Sequence, residues 1–340
     1  MRELLLIRHG RPEFPEGKRM CLGRTDLPLD TLGRLQAALL GVSLRPAALY
    51  SSPLVRARET ARPMGEAKIL PGLTERFAGA WDGLRFDEIR SRWPELYAAR
   101  GEDPSLPMPG AEPDSAALAR FSAALEAILR ETPRGAAAVS HAGVIGLYLE
   151  SLGLPGVKIP YGSYVRLGAP DGGALEAAEP GVLPRPKLTD GVCLALLRAA
   201  GTPERAVRHC AAAADRAEHL ARAAHMDPGS IRAAALLHDI ARGRPRHPEL
   251  GADWLAGLGY PETAELIRAH HDHPGDRLDA AGIVCLADKL VMGERPCTLE
   301  ERFAASAEKC RAPEQRKAHE RRFAAAKRLV KYFEEKGVSI

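Results

Sequence analysis

Short apolar runs and longer amphipathic ones alternate through the first half of the chain. "ELLLI" (3–7), "AALYS" (47–51) and "AAAVS" (136–140) are brief and almost wholly apolar, the pattern of strands buried on both faces. "TLGRLQAALLG" (31–41), "PLVRARETARPM" (53–64), "FDEIRSRWPELYAA" (86–99) and "SAALARFSAALEAILRE" (115–131) space their apolar residues at the helical period. Such alternation predicts a three-layer α/β domain with a mostly parallel sheet, over residues 1–180. "LGAPDGGALEAAEPGVLPRPKLTDG" (167–191) is rich in Gly and Pro and loses periodicity, and its later part reads as a linker. From 188 to 340 only helical patterns follow, among them 205–226, 230–243, 247–259, 261–274 and 279–293, so the second domain is predicted to be all-α. No internal repeat is present.

Composition changes this picture little. The 340 residues suit two domains, and 45% apolar with 27% charged residues are the values of a globular protein. A net charge of +4 comes from 48 basic and 44 acidic residues, well interspersed, which argues against a nucleic-acid or membrane partner. The basic segment 311–337 alternates its charges at helical spacing and reads as a solvated helix. Six cysteines without a CxxC pair predict reduced thiols and a cytoplasmic location. The apolar run at the N-terminus is too short for a signal peptide, and no stretch reaches the ~18 apolar residues of a membrane span.

The first candidate site begins where the strand 3–7 runs into Arg8-His9-Gly10. In a parallel sheet the residues just past the strand ends line the ligand crevice. A second strand ends the same way in His141-Ala142-Gly143, and a third is followed by a helix whose start carries Arg56. An imidazole can attack phosphorus and carry the phosphoryl group covalently. Arginine, planar and always charged, suits the phosphoryl oxygens. A carboxyl with a raised pKa could protonate the leaving oxygen.

"LLLIRHGRP", "CLGRTDLPLDTLGRLQA", "LYSSPLVRARETA", "LTERFAGAWDG" and "AVSHAGVIGLYLESLGLP" resemble, in that order, the histidine phosphatase (phosphoglycerate mutase-like) superfamily. The resemblance implies that His9 is the phosphohistidine nucleophile and that Arg8, Arg56 and His141 form the phosphate pocket. It further implies Glu75 as acid/base and Arg24 as a substrate contact, with no metal. "CLGRTDLPL" is most similar to the α-ribazole phosphatase branch, which makes α-ribazole 5'-phosphate one candidate among nucleotide-like monophosphates. The chain departs from the family in reading "LTE" for "LRE", "HAG" for "HGG" and "PGAEPDS" for "PGGES", which leaves the site residues intact and the substrate open. A phosphoglycerate mutase-type transferase is the alternative; the short insert before residue 188 favours a phosphatase.

The second candidate site centres on His238-Asp239 in an apolar helical segment. A lone histidine there would be ordinary core, but a buried carboxylate requires a partner, and a metal is one solution. His209, His247, His270, His271 and Asp288 lie at intervals around it. This order resembles the HD-domain metal-dependent phosphohydrolases, over roughly 200–295. The resemblance implies a first divalent ion (Fe, Mn or similar) on His209, His238, Asp239 and Asp288. A second would be held through Asp239 by His247 and His270, with His271 as a further candidate. Arg242 would bind phosphate. His225 and His273 read as surface histidines, and Asp215 and Glu218 as solvated. Together the two halves suggest a bifunctional phosphohydrolase of small phosphorylated, nucleotide-like substrates; the alternative for the second is a nucleotide-sensing regulatory module.

Overall fold

The computed structural model describes every residue except 1, 133, 170–175, 336 and 339. The chain divides into two compact units, Met1–Arg185 and Pro186–Ile340. Among the described residues no helix is long and apolar enough to cross a membrane.

The first unit runs β1 (Arg2–Arg8), α1 (Thr31–Ser43), β2 (Ala48–Ser51), α2 (Val55–Ala61), β3 (Lys68–Ile69), α3 (Phe86–Arg92), α4 (Pro94–Glu102), α5 (Asp114–Glu131), β4 (Ala136–Ser140), α6 (Ala142–Ser151), β5 (Tyr164–Ala169) and β6 (Glu176–Val182). The sheet order is β3-β2-β4-β1-β5-β6. The first four are mutually parallel, and β5 and β6 add antiparallel pairings. The core follows from strand alternation. Leu4 and Leu6 turn to one face, against Phe121, Leu125 and Ile128 of α5 and Val144 and Leu149 of α6. Leu5 and Ile7 turn to the other, against Leu40 of α1 and Ala57 and Ala61 of α2. Helices therefore cover both faces of the sheet, and each fully buried leucine contributes roughly 2 kcal/mol.

Several elements differ from the sequence patterns. The segment 86–99 is two helices, because Pro94 has no amide hydrogen and Trp93 leaves helical geometry (φ −135°, ψ 62°). The stretch read as a linker is partly strand: β6 occupies Glu176–Val182, while 170–175 lie outside the described residues. Its Pro180 is tolerated because β6 is an edge strand. β3, β5 and α6 are further elements that the alternation did not reveal.

The second unit comprises α7 (Asp190–Ala200), α8 (Glu204–Ala223), α9 (Pro228–Leu237), α10 (His247–Gly257), α11 (Pro261–Arg268), α12 (Ala280–Lys289), β7 (Val291–Met292), β8 (Arg295–Pro296), α13 (Leu299–Ala307) and α14 (Pro313–Glu334). Among the described residues its regular structure is helical apart from β7 and β8, which form a hairpin of two-residue strands. Side-chain caps start several helices where the chain places short polar residues: Thr189 for α7, Asp227 for α9, Asp279 for α12 and Thr298 for α13. Buried alanines at 213, 214, 217, 233, 234 and 235 let α8 and α9 pack closely. His225 is exposed, but the expected surface position of His273 is wrong. His273 is buried, hydrogen-bonded to Asp279 at 3.0 Å and accepting the Gly275 amide at Nδ1. Asp215 and Glu218 both pair with Arg232.

Candidate functional site

β1 and β4 are adjacent, and their register pairs Arg8 with Ser140. The next residues, His9 and His141, therefore leave the same sheet edge together, with ring centroids 5.0 Å apart. β2 flanks β4 on the other side and delivers Ser52 and then α2 with Arg56. Arg56 is fully buried, and its guanidinium spans the site. Nε donates toward His9 Nε2 at 3.3 Å, while the terminal nitrogens donate to the Thr25 and Gly23 carbonyls, each at 2.8 Å.

His9 Nδ1 lies 2.7 Å from the Gly10 carbonyl oxygen. A carbonyl only accepts, so Nδ1 carries the hydrogen and Nε2 keeps its lone pair. Burial, then the charges of Arg56 and Arg8, hold the ring's pKa well below the usual histidine value. Gly10 is required sterically: a Cβ there would stand 2.5 Å from the Gly33 carbonyl oxygen. Thr60 accepts the Gly10 amide and so fixes the turn. His141 is also fully buried, with Nε2 2.8 Å from Ser52 Oγ and Nδ1 without a partner. Burial, followed by His9, Arg56 and Arg8, depresses its pKa well below the ordinary value.

The Arg8 guanidinium stacks 3.7 Å over the Tyr161 ring and donates to the Ile159 carbonyl at 2.6 Å. Glu75 is buried at the N-terminus of α6. Its carboxylate accepts the amides of Gly143 (2.9 Å), Val144 (3.0 Å) and Arg76 (2.8 Å). A Cβ on Gly143 would fall 2.6 Å from Glu75 Oε1, so glycine is what allows the carboxylate to seat there. Arg24 sits in an exposed loop, its side chain turned to Glu112 at 3.2 Å. That loop is held by Asp82, which accepts the amides of Gly23, Arg24 and Thr25.

The second unit gathers its histidines and aspartates from different elements. Three overlapping groups bring their ligand atoms within 4.8 Å of one another: His209, His238 and Asp288; His238, Asp239 and His270; and His247, His270 and His271. Nδ1 faces a backbone carbonyl in His209 (Gly293, 2.9 Å), His238 (Ala235, 2.7 Å) and His270 (Ile267, 2.6 Å). Each ring is thereby turned to present Nε2 inward, the orientation of a metal ligand. Nε2 of His238, His247 and His270 is buried without a hydrogen-bond partner. His247 Nε2 approaches Asp239 Oδ1 to 3.0 Å, and His209 Nε2 approaches Asp288 Oδ1 to 3.0 Å.

Burial opposes charge on His238, but Cys210, Asp239 and Asp288 outweigh it and lift the ring to about 10. Burial would raise Asp239 and Asp288, yet the surrounding histidines hold both below the usual carboxylate range. Burial pushes His271 down to about 4. Orphaned imidazole lone pairs facing two buried carboxylates constitute a donor set that fits one or two divalent cations. Arg246, in the left-handed region at φ 48°, turns the chain sharply into α10 and so directs His247.

The histidine phosphatase superfamily (branch 1) model matches residues 4–167, and the HD domain model matches residues 206–293. A glucosyl-3-phosphoglycerate phosphatase of Mycolicibacterium vanbaalenii is 32% identical over 173 residues, covering 46% of this chain and 76% of that protein. The chain belongs to the histidine phosphatase superfamily. A metal-independent phosphoserine phosphatase of Arabidopsis thaliana is 33% identical over 161 residues, covering 43% of this chain and 67% of that protein. A bifunctional protein of Mycobacterium tuberculosis is 40% identical over 118 residues, 32% of each chain, so the chain spans about a third of that relative's length.

In the histidine phosphatase unit the structure brings together His9, Arg56, His141 and Arg8, with Glu75 beside them on the α6 terminus and Arg24 on the surrounding loop. In the HD unit it brings together His209, His238, Asp239, His247, His270, His271 and Asp288, with Arg242 paired to Asp239 at 3.1 Å. Sequence reasoning passed over Ser52, Thr60, Asp82 and Tyr161. Their signals were weak, since Ser, Thr and Asp are ordinary turn residues. Lys289, beside the candidate ligand Asp288, is buried and donates to the His270 carbonyl at 3.1 Å, which ties α12 to the 270–271 turn.

Proposed function

We propose that the chain is a bifunctional phosphohydrolase: a phosphomonoesterase acting through phosphohistidine in the first unit, and a divalent-metal-dependent hydrolase of phosphoesters or phosphoanhydrides in the second. For the first, one observation carries the reading. The Gly10 carbonyl holds His9 Nδ1–H, leaving a neutral, buried Nε2 lone pair between Arg56 and His141. In this reading Nε2 attacks phosphorus, the phosphorus–ester oxygen bond breaks, and the leaving oxygen takes a proton from an acid, the role proposed for Glu75. Water then attacks phosphorus, gives a proton back to the Glu75 carboxylate, and the Nε2–P bond breaks to release inorganic phosphate and His9. Arg56 transfers its Nε hydrogen bond from His9 to a phosphoryl oxygen, and Arg8 takes another. With the Ser52 hydroxyl donating to His141 Nε2, the ring's Nδ1–H becomes a further donor to the phosphoryl group.

Likeness to phosphatases of glucosyl-3-phosphoglycerate and phosphoserine supports a small phosphorylated metabolite as substrate. Mononucleotides and α-ribazole 5'-phosphate belong in the same screen. The decisive experiment is phosphorus NMR of acid-labile, base-stable phosphate on the protein during turnover of a monoester. Signal on the parent chain and none on His9→Ala supports the reading; hydrolysis without any phosphohistidine overturns it.

For the second unit, the carrying observation is the convergence of imidazoles on Asp239 and Asp288, with Nε2 of His238 and His270 buried without a hydrogen-bond partner. Bound there, one or two ions such as Fe or Mn would supply Lewis acidity toward a phosphoryl group and activate water. The chain's own part is to fix the imidazoles of His209, His238 and His270 through backbone carbonyls and to offer Arg242 to phosphate. Elemental analysis of protein purified without chelator tests this, with stoichiometric metal expected and a metal-free protein overturning it.

A further inference from the structure

The HD match ends at residue 293, yet the walls of the metal-site cleft do not. A cavity of about 530 Å³ opens on His209 and Asp239 and is lined by Arg205, Arg242, Arg302 and Lys309. A second cavity, of about 270 Å³, reaches His271 and Asp288 and shares Arg242, Arg302 and Lys309 with the first. The acids lining these two cavities are Asp239 and Asp288, both members of the candidate metal groups. The wall beyond them is cationic.

Several arginines of this unit are held by carboxylates. Arg232, Arg268 and Arg322 each pair with a carboxylate within 3 Å. Arg205 and Lys309 have no carboxylate within 4.0 Å among the described residues. Arg302 Nε is buried without a partner, and its terminal nitrogen stands 3.9 Å from Asp288 Oδ1. A cation with an unsatisfied buried donor at the edge of a ligand cluster calls for an anion that the protein does not itself provide.

We infer that α13 and the turn after it, through Arg302 and Lys309, form an anion subsite beside the metal groups, so that this cleft takes a substrate bearing at least two phosphates. The inference rests on reading the second unit as a metal-dependent phosphohydrolase, and it names that site's substrate class. One phosphoryl group faces the metal groups and Arg242. The next is held by Arg302 and Lys309 from a segment outside the HD match. A simple monoester would leave Lys309 and the buried Nε of Arg302 without a partner. A volume near 530 Å³ also leaves room for a nucleoside or comparable group beyond a diphosphate.

The test is calorimetric binding of methylenediphosphonate, whose P–C–P bridge resists hydrolysis, to the full chain, with inorganic phosphate as the monoanionic comparison. Both are measured on manganese-loaded and on metal-stripped protein. Comparing variants with the parent cancels binding at the His9 site. Arg302→Ala is expected to weaken the diphosphonate by about tenfold or more, and Lys309→Glu by a comparable factor, with phosphate affinity changed less than about twofold. Lys309 is exposed, so its variant keeps the proposal testable should Arg302→Ala fold poorly. Adenosine diphosphate against adenosine monophosphate then separates a nucleoside diphosphate from a bare diphosphate. Equal diphosphonate binding by parent and Lys309→Glu, or none by the parent, overturns the inference. Lost diphosphonate binding in a protein that retains no metal would support the subsite while sinking the metal-dependent reading.

Discussion

The two units build their sites from the same part in opposite surroundings. In each, a histidine donates Nδ1–H to a nearby backbone carbonyl and aims Nε2 into a buried pocket. In the first unit the neighbours are Arg56, Arg8 and a second imidazole, and burial, reinforced by that positive charge, keeps His9 neutral. In the second they are Cys210, Asp239 and Asp288, which favour the charged form of His238 against its burial. A neutral imidazole among cations suits a nucleophile facing an anion's landing place. The same imidazole among carboxylates suits a ligand. The neighbouring charge, supplied by other elements, sets the chemistry.

The largest break in this comparison comes from removing the key residue on each side. His9→Ala should lower metal-independent monoester hydrolysis by about 10⁴-fold or more, leaving metal content unchanged. Asp239→Ala should do the reverse, abolishing metal binding by elemental analysis while monoester hydrolysis in chelator persists. A single substitution that silenced both activities would end the picture of two separable sites.

A smaller effect sharpens the role of fixed charge in the first unit. Arg56→Lys keeps the charge but loses the fork that reaches His9, Thr25 and Gly23 together, and kcat should fall about 10²-fold. An unchanged kcat would show that the charge alone suffices. Gly143→Ala tests placement of the carboxylate. Its Cβ would collide with Glu75, so kcat should fall about tenfold and the protein should lose roughly 1–3 kcal/mol, read from chemical denaturation.

The smallest effect is a pH slope. His9 and His141 have folded pKa values below the usual 6.5. Above that value both states are neutral at these rings and nothing changes. As pH falls through 6.5, the unfolded chain takes up protons that the native state refuses, so stability declines on acidification. Each ring contributes at most about 1.4 kcal/mol per pH unit. Thermal melts from pH 7.5 to 5 should fall less steeply for His141→Asn than for the parent; equal slopes would mean that His141 is not kept neutral by folding.

The alternation of apolar runs was enough to locate β1, β2 and β4 and the helices between them, because strands buried on both faces leave an unmistakable continuous apolar signal. It was silent about β5 and β6, which include charged residues and a proline tolerated only at an edge. It joined α3 to α4, although Pro94 marked the break. Residue type and order were enough to nominate His9, His141 and the imidazole-aspartate set, because few other side chains perform that chemistry.

What the chain alone could not decide is which atoms meet. The tautomer of His9 depends on a carbonyl turned by Gly10 against Gly33. The seat of Glu75 depends on an α6 terminus 68 residues away. Part of the cationic wall beside the metal groups comes from α13 and the turn after it, whose Arg302 and Lys309 read as ordinary surface residues until folding brings them to the cleft. Local pattern encodes backbone period and burial; the field at a site is a sum over residues distant in sequence, and only the fold performs it.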